Sequence, residues 1–161
     1  LVPGTDEQLA AVGNDKDVYD RDVRPGLEVR VIADNQSAGV EPAIWKIEGL
    51  ETVEAARAVV TQIRSDGRTD VDVILLGRDA PRERLYHWIE VAAPIDGFVG
   101  FAIGRSIFGQ PAEEWLAGEI DDDSAVAAMA RAYGRLIEIW RKARKSAMTA
   151  AAGAQPLKQI G

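Results

Sequence analysis

The chain has 161 residues, of which 47% are apolar and 28% charged, as in an ordinary globular domain with its own core. Its net charge of −7 argues against a general nucleic-acid or anionic-membrane binder, and the absence of cysteine excludes disulfides, thiol catalysis and cysteine-based metal sites. A single histidine, His87, excludes a multi-histidine zinc site within the chain. No apolar run approaches the length of a membrane span and no signal peptide is visible, so we expect a cytoplasmic protein without nucleic-acid or membrane partners.

The N-terminal part of the chain is mostly polar. Residues 1–4, LVPG, read as the end of an apolar strand followed by a turn, which suggests a piece of a longer protein. In the polar segment that follows, the run NDKDVYDRD (residues 14–22) is too charged to be core. Pro25 suits the first position of a helix. Leu27, Val31 and Ile32 are the expected buried stripe of that helix.

Strand–helix units then repeat along the chain. Apolar runs predict strands at AIWKIE (43–48), VDVILLG (71–77) and GFVGFAIG (97–104). The predicted helices cover residues 51–64, begin at Pro81, begin again at Pro111 for a short helix, and end with a long helix capped by residues 121–124. The alanine-rich residues 146–161 have no apolar stripe and are predicted to form a disordered tail, which leaves residues 1–145 as the domain.

This order predicts an α/β fold of parallel (β/α) units with helical crossovers. Such units close into an eight-stranded barrel or remain an open, doubly wound sheet. A (β/α)8 TIM barrel takes about 250 residues, so three strands and the stub of a fourth would be roughly its C-terminal half. An open four-stranded sheet is the alternative, and periodicity alone does not separate the two.

Lys46 stands in the middle of the first apolar strand. Strand alternation places Ile44, Lys46 and Glu48 on one face and Trp45 on the other. If the Trp45 face packs under helices, Lys46 and Glu48 point into a barrel. A lysine desolvated there keeps more neutral amine, which can attack a carbonyl and form a Schiff base. An ion pair of Lys46 with Glu48 or a distant carboxylate is the structural alternative.

The two later strands each end in a Gly-Arg pair. Gly77 and Arg78 follow the second strand, and Gly104 and Arg105 follow the third, with Ser106 next. Glycine lets backbone N–H groups approach an anion, and arginine adds a bidentate cationic group. Ligands gather at the carboxyl ends of parallel strands, so these residues predict a phosphate site; tight turns with surface arginines are the alternative.

Other conspicuous residues are expected to be structural. His87 is interpreted as a packing or surface histidine. The acidic run EIDDD (119–123) is interpreted as a solvated helix N-terminus and not as a cation site. We therefore expect no metal and no cofactor. The phosphate-binding motifs GxGxxG and GxxxxGK[ST] do not follow any strand, which disfavours an open-sheet nucleotide-binding protein.

The segments EPAIWKIEG, VILLGRDAP and GFVGFAIGRSIF, with WLAGEID following, carry a family resemblance. From Leu1 to about Arg144 the chain resembles the C-terminal aldolase-like domain fused to 5-dehydro-2-deoxygluconokinase of myo-inositol catabolism. That domain is itself similar to class I tagatose-bisphosphate aldolases. The resemblance implies a (β/α)8 barrel in which Lys46 is the Schiff-base lysine on the sixth strand. The two Gly-Arg pairs would then hold the substrate phosphate on strands seven and eight.

The implied activity is a class I lyase that cleaves 2-deoxy-5-keto-gluconate 6-phosphate to dihydroxyacetone phosphate and malonate semialdehyde. In this reading Glu48 orients Lys46 or relays a proton. Strands one to four and most of strand five are absent, so the implied partner is the missing half-barrel or another copy of the chain. The alternative is a binding module without catalysis that holds a sugar phosphate beside a carbohydrate kinase.

Overall fold

A computed structural model of the chain describes residues 2–78 and 80–153, and it consists of helices around a small sheet. A π-helical turn, Tyr19–Val23, joins the second and third helices, and a 3-10 turn, Ser65–Gly67, follows the fourth. The helices are α1 Asp6–Ala11, α2 Lys16–Val18, α3 Arg24–Ser37, α4 Val53–Ile63, α5 Arg82–Ala92, α6 Arg105–Leu116 and α7 Asp122–Gly153, and the strands are β1 Ile44–Glu48, β2 Asp72–Leu76 and β3 Phe98–Ala102.

The three strands form one parallel sheet in the order β1-β2-β3. Each strand is connected to the next by a helix, so the structure confirms the predicted α/β class and its parallel (β/α) units. Lys46 is in register with Ile74, and Glu48 is in register with Leu76. An irregularity between Val73 and Ile74 shifts the pairing of β2 with β3 by one residue.

One face of the sheet carries the core. Ile47, Val73 and Phe98 are buried with side chains of α3, α4 and α5, and Leu75 is buried with side chains of α5 and α7. Trp140 of α7 packs against both apolar clusters and joins them. Helices therefore pack on the face that carries Ile47, which is the face predicted from the position of Trp45.

The opposite face of the sheet is open to solvent. Ile44 is 51% exposed, and its neighbour on the same face, Lys46, is also exposed. The apolar positions beside them in β2 and β3 are only partly buried: Ile74, Leu76, Gly100 and Ala102. Parallel sheets are normally covered on both faces, so a bare face with apolar side chains is unusual.

Two helices differ from the sequence-based expectation. The buried positions of α3 are mostly polar or charged, and Ile32 is the apolar one, whereas Val31 is 43% exposed. Helix α6 begins at Arg105, directly after β3, and Pro111 lies inside it. The prediction that Pro111 opens this helix is therefore wrong, because Gly104 already turns the chain from the strand into the helix.

The two ends of the chain are only partly described. Val2 is not in a strand, and its predicted strand neighbour Leu1 lies outside the described residues. Helix α7 continues to Gly153, so residues 146–153 of the predicted tail are helical, as alanine-rich sequence favours. Residues 154–161 lie outside the described range. Over the described residues, each helix is too short or too polar to cross a membrane.

Candidate functional site

An open cleft of about 430 Å³ lies at the carboxyl edge of the sheet. Its walls come from β1, the ends of β2 and β3, and the first turn of α6, because parallel strands all end at the same edge. The cleft brings together six of the seven site residues predicted from the sequence: Lys46, Gly77, Arg78, Gly104, Arg105 and Ser106. Leu76, Ala102, Ile103 and Phe108 complete the lining.

The N-terminus of α6 forms one wall of this cleft. Gly104 is its N-cap residue and makes no side-chain cap, and Arg105 and Ser106 of the first turn line the cleft. A Cβ on Gly104 would lie 3.1 Å from the Phe108 ring, which explains why the chain turns here on a glycine. A helix N-terminus carries a partial positive charge and favours anions.

Arg78 forms the opposite wall in a strained conformation. Its φ of 49° is left-handed, which is unusual for a residue with a side chain. The guanidinium Nη1 lies 2.9 Å from Asp20 Oδ1 and 3.0 Å from Glu48 Oε2, and these contacts fix the side chain. Burial lowers the pKa of Arg78, but the contacts with Asp20 and Glu48 outweigh it and leave the pKa raised. Arg78 is therefore a fixed cation at the edge of the cleft.

Lys46 is exposed on the open face of the sheet and lines the cleft. The expectation of a desolvated lysine is therefore wrong for the described residues, because none of them covers β1 at the position of Lys46. The side of the strand on which Lys46 lies is the predicted one. Its role as a Schiff-base lysine stays a prediction.

Glu48 shares that face of β1 but is 1% exposed. Its Oε1 accepts a hydrogen bond from the backbone N–H of Val2 at 2.7 Å. Its Oε2 forms ion pairs with Arg78 and, at 3.7 Å, with Arg24 Nη1, and neither ion pair has hydrogen-bond geometry. These contacts hold Arg78 in place, and the predicted role of Glu48 in orienting Lys46 or relaying a proton stays a prediction.

A charge cluster that is buried except for Arg78 adjoins the cleft, and sequence reasoning missed it. We define it as Asp20, Arg24, Glu28, Glu48 and Arg78. Arg24 is fully buried and lies 2.9 Å from Asp20 and 3.0 Å from Glu28, and it donates to the carbonyl of Gly49 at 2.6 Å. Buried charges require partners of this kind.

The high charge of residues 14–22, the segment that supplies Asp20, predicts that it lies outside the core. Asp20 and Tyr19 are in fact buried, at 5% and 2% exposure, so that interpretation is wrong for these two residues. The i, i+4 spacing of Asp20, Arg24 and Glu28 was the available signal, since it places all three on one helical face. Nothing in the sequence indicated that this face would turn inward.

The remaining candidates behave as structural residues. His87 is exposed, and its Nε2 lies 2.9 Å from the carbonyl oxygen of Glu51. Asp121 caps α7 by accepting a hydrogen bond from the backbone N–H of Ser124 at 2.9 Å, and hydrogen bonds from the side chain and the backbone of Ser124 lower the pKa of its carboxyl. Within the ranges that the structure describes, no group of three His, Cys, Asp or Glu side chains is placed to hold a metal ion.

Comparison with known proteins places the chain in a family. No curated protein and no solved structure matches it significantly. One family model matches residues 10–144, which is most of the chain and includes every strand and all seven predicted site residues. The chain therefore belongs to the family described as "uncharacterized protein conserved in bacteria (DUF2090)".

Proposed function

We propose that the protein is a class I aldolase-type lyase that cleaves a phosphorylated keto-sugar through a Schiff base on Lys46. The observation that carries this proposal is the composition of the cleft. One lysine and two Gly-Arg pairs line the same 430 Å³ space at the carboxyl edge of a parallel sheet. The amine supplies a nucleophile for a ketone, and the arginines with the α6 N-terminus supply a site for a phosphate.

The substrate class follows from these groups and from the sequence resemblance. A compound such as 2-deoxy-5-keto-gluconate 6-phosphate offers a ketone next to a phosphate-bearing carbon. Binding the phosphate at Arg78, Arg105 and the first turn of α6 places the ketone toward Lys46 on β1. Binding energy from the non-reacting phosphate then positions the reacting carbon.

The reaction proceeds in balanced steps. The Lys46 amine adds to the ketone, and loss of water leaves an iminium ion. A base takes the proton of the β-hydroxyl, the carbon–carbon bond breaks, and its electron pair moves to the iminium nitrogen as an enamine. The aldehyde, malonate semialdehyde, leaves. Protonation of the enamine and addition of water release dihydroxyacetone phosphate and restore the amine.

We propose further that the sheet is the C-terminal half of a (β/α)8 barrel. Helices pack on one face of the three strands, and the other face is open and partly apolar, with Lys46 exposed on its edge strand β1. In a closed barrel that face is the interior. The partner that covers it is the missing half of the barrel or another copy of the chain.

A second candidate is a module that binds a sugar phosphate beside a carbohydrate kinase and performs no chemistry. One observation favours it. The anion-binding side of the cleft is assembled by fixed groups, whereas Lys46 is exposed and Glu48 is committed to Val2 and Arg78. Binding of a phosphate needs only the anion-binding groups, whereas catalysis also needs Lys46 and Glu48.

Reductive trapping separates the two candidates. The chain is treated with dihydroxyacetone phosphate and borohydride, and the adduct is located by peptide mass spectrometry. We expect an adduct on Lys46 that is lost in Lys46→Arg, which keeps the charge but cannot form the imine. Lys142→Arg, an exposed lysine on α7, is the matched control and retains the adduct. A folded chain that dihydroxyacetone phosphate stabilises thermally without any adduct on Lys46 contradicts the lyase and supports the binding module.

A further inference from the structure

A second cleft lies on the helix-covered side of the molecule. It has a volume of about 550 Å³ and is bounded by α5, α6 and α7. It shares Arg105 and Ser106 with the cleft described above, at the N-terminus of α6, but Lys46 and Arg78 do not line it. We call it the arginine groove, because four arginines line it: Arg82, Arg105, Arg131 and Arg135.

The charge of the arginine groove is opposite to that of the chain. Among the described residues, its lining has four arginines and one acidic residue, Glu114, while the chain as a whole carries a net charge of −7. Glu114 is itself engaged, since it accepts a hydrogen bond from Gln110 at 2.7 Å. A positive concavity on an acidic protein concentrates anions locally.

Two of these arginines have no charged partner. In the described part of the chain, Arg82 and Arg131 are exposed and form no ion pair. Arg135 contacts Glu138 at 3.4 Å and lies over the ring of Tyr86. Most other arginines of this chain are paired with carboxylates, as Arg24, Arg64, Arg68 and Arg84 are.

The helices provide both the depth of the groove and additional positive potential. Ala128, Arg131, Ala132 and Arg135 recur at three- and four-residue spacing and share one face of α7, so alanines form the floor between arginines. Leu85 and Leu136 are buried beneath them. The N-termini of α5 and α6 both lie at this groove, at Arg82 and Arg105.

We propose that the arginine groove is a second ligand site, which binds a small molecule with two or more phosphoryl groups. Two unpaired guanidinium groups on different helices suit two phosphoryl groups of one ligand, since each guanidinium can bind phosphate oxygens in bidentate fashion. The site does not depend on Schiff-base chemistry. A ligand there contacts the same α6 N-terminus as a ligand in the first cleft, so the two sites are adjacent across that helix.

The test is a calorimetric titration with pyrophosphate at low ionic strength. We expect saturable binding that weakens at least tenfold in the double variant Arg82→Gln/Arg131→Gln. The matched control is Arg57→Gln/Arg141→Gln, which removes the same charge from exposed positions on α4 and α7 outside the groove and changes the affinity less than twofold.

Two outcomes overturn the proposal. One is a wild-type chain that shows no saturable binding of pyrophosphate. The other is an equal loss of pyrophosphate affinity in the two double variants, which would show that the loss comes from the change in net charge and not from the groove. Lys46→Arg is titrated in parallel and is expected to retain pyrophosphate binding whether or not the chain is a lyase. Failure of the second ligand site is therefore distinct from failure of the proposed lyase activity.

Discussion

At the scale of single residues, Glu28 shows how packing changes the chemistry of a carboxylate. It accepts a hydrogen bond from Arg24 at 3.0 Å, yet it is 4% exposed and its Oε2 has no hydrogen-bond partner among the described residues. Burial raises its pKa to about 7; Arg24 opposes this shift, and the nearby charge of Glu48 adds to it. Glu28 therefore titrates within the physiological range, although no sequence pattern marks it.

This titration predicts a pH-dependent stability. Unfolded Glu28 releases its proton near its ordinary pKa of 4.5, whereas the folded state keeps it up to about pH 7. Between these values the folded state binds more protons, so the contribution of Glu28 to stability is complete below about pH 4.5 and is lost as pH rises to about 7. Glu28→Gln removes the titrating group and keeps an acceptor for Arg24.

We expect the free energy of unfolding of Glu28→Gln, relative to that of the wild type, to rise with pH by on the order of 2–3 kcal/mol between pH 5 and pH 8. The measurement is urea unfolding at several pH values. Glu90→Gln, at an exposed position of α5, serves as the control for the loss of one carboxylate. A difference for Glu28→Gln that stays constant across this range would contradict the assignment.

At the scale of elements, the join between β1 and α5 depends on one glycine. Gly49 follows β1 directly, and a Cβ at this position would overlap the indole of Trp88. Trp88 lies on α5, is 1% exposed and packs in the core. The indole N–H donates to Glu51 at 2.9 Å, so Trp88 is held on both its apolar and its polar side. Neither the ring nor the backbone can move away without losing contacts.

Gly49→Ala is therefore expected to destabilise the fold by about 3 kcal/mol, which is the upper range for overpacking a close-packed core. Gly100→Ala is the matched control, because a Cβ at Gly100 in β3 meets no atom within 4 Å. The two variants are compared by chemical denaturation. Equal stabilities for the two would show that Trp88 repacks freely.

At the scale of the whole molecule, the open sheet face determines the environment of the candidate site. Lys46, Ile74 and Gly100 lie across this face in the three strands. In the described chain Lys46 is exposed to solvent. Closure of a barrel over this face would desolvate it, and desolvation favours the neutral, nucleophilic form of a lysine.

Chemical labelling tests whether the sheet face that carries Lys46 is open in the chain. On the chain at low concentration, we expect acetic anhydride to modify Lys46 at a rate within about threefold of Lys142, since both are exposed. The rates are read by peptide mass spectrometry. Protection of Lys46 by tenfold or more at low concentration would show that the face is covered within the chain itself.

Local sequence patterns predict the strands of the sheet and the positions of the site residues along them. The apolar runs predicted all three strands, alternation placed Lys46 and Glu48 on one face, and the Gly-Arg pairs were assigned to the carboxyl edge where Arg78 and Arg105 lie. These features depend on local patterns: side-chain alternation in a strand and the parallel direction that helical crossovers impose.

The burial of these residues, in contrast, depends on the tertiary structure. Lys46 is exposed and Glu48 is buried on the same strand face, and the charged segment with Asp20 and Arg24 lies inside. Burial depends on what packs against a residue, and those neighbours come from distant parts of the chain. Asp20 reaches Arg78 across 58 positions of sequence, which no local pattern encodes.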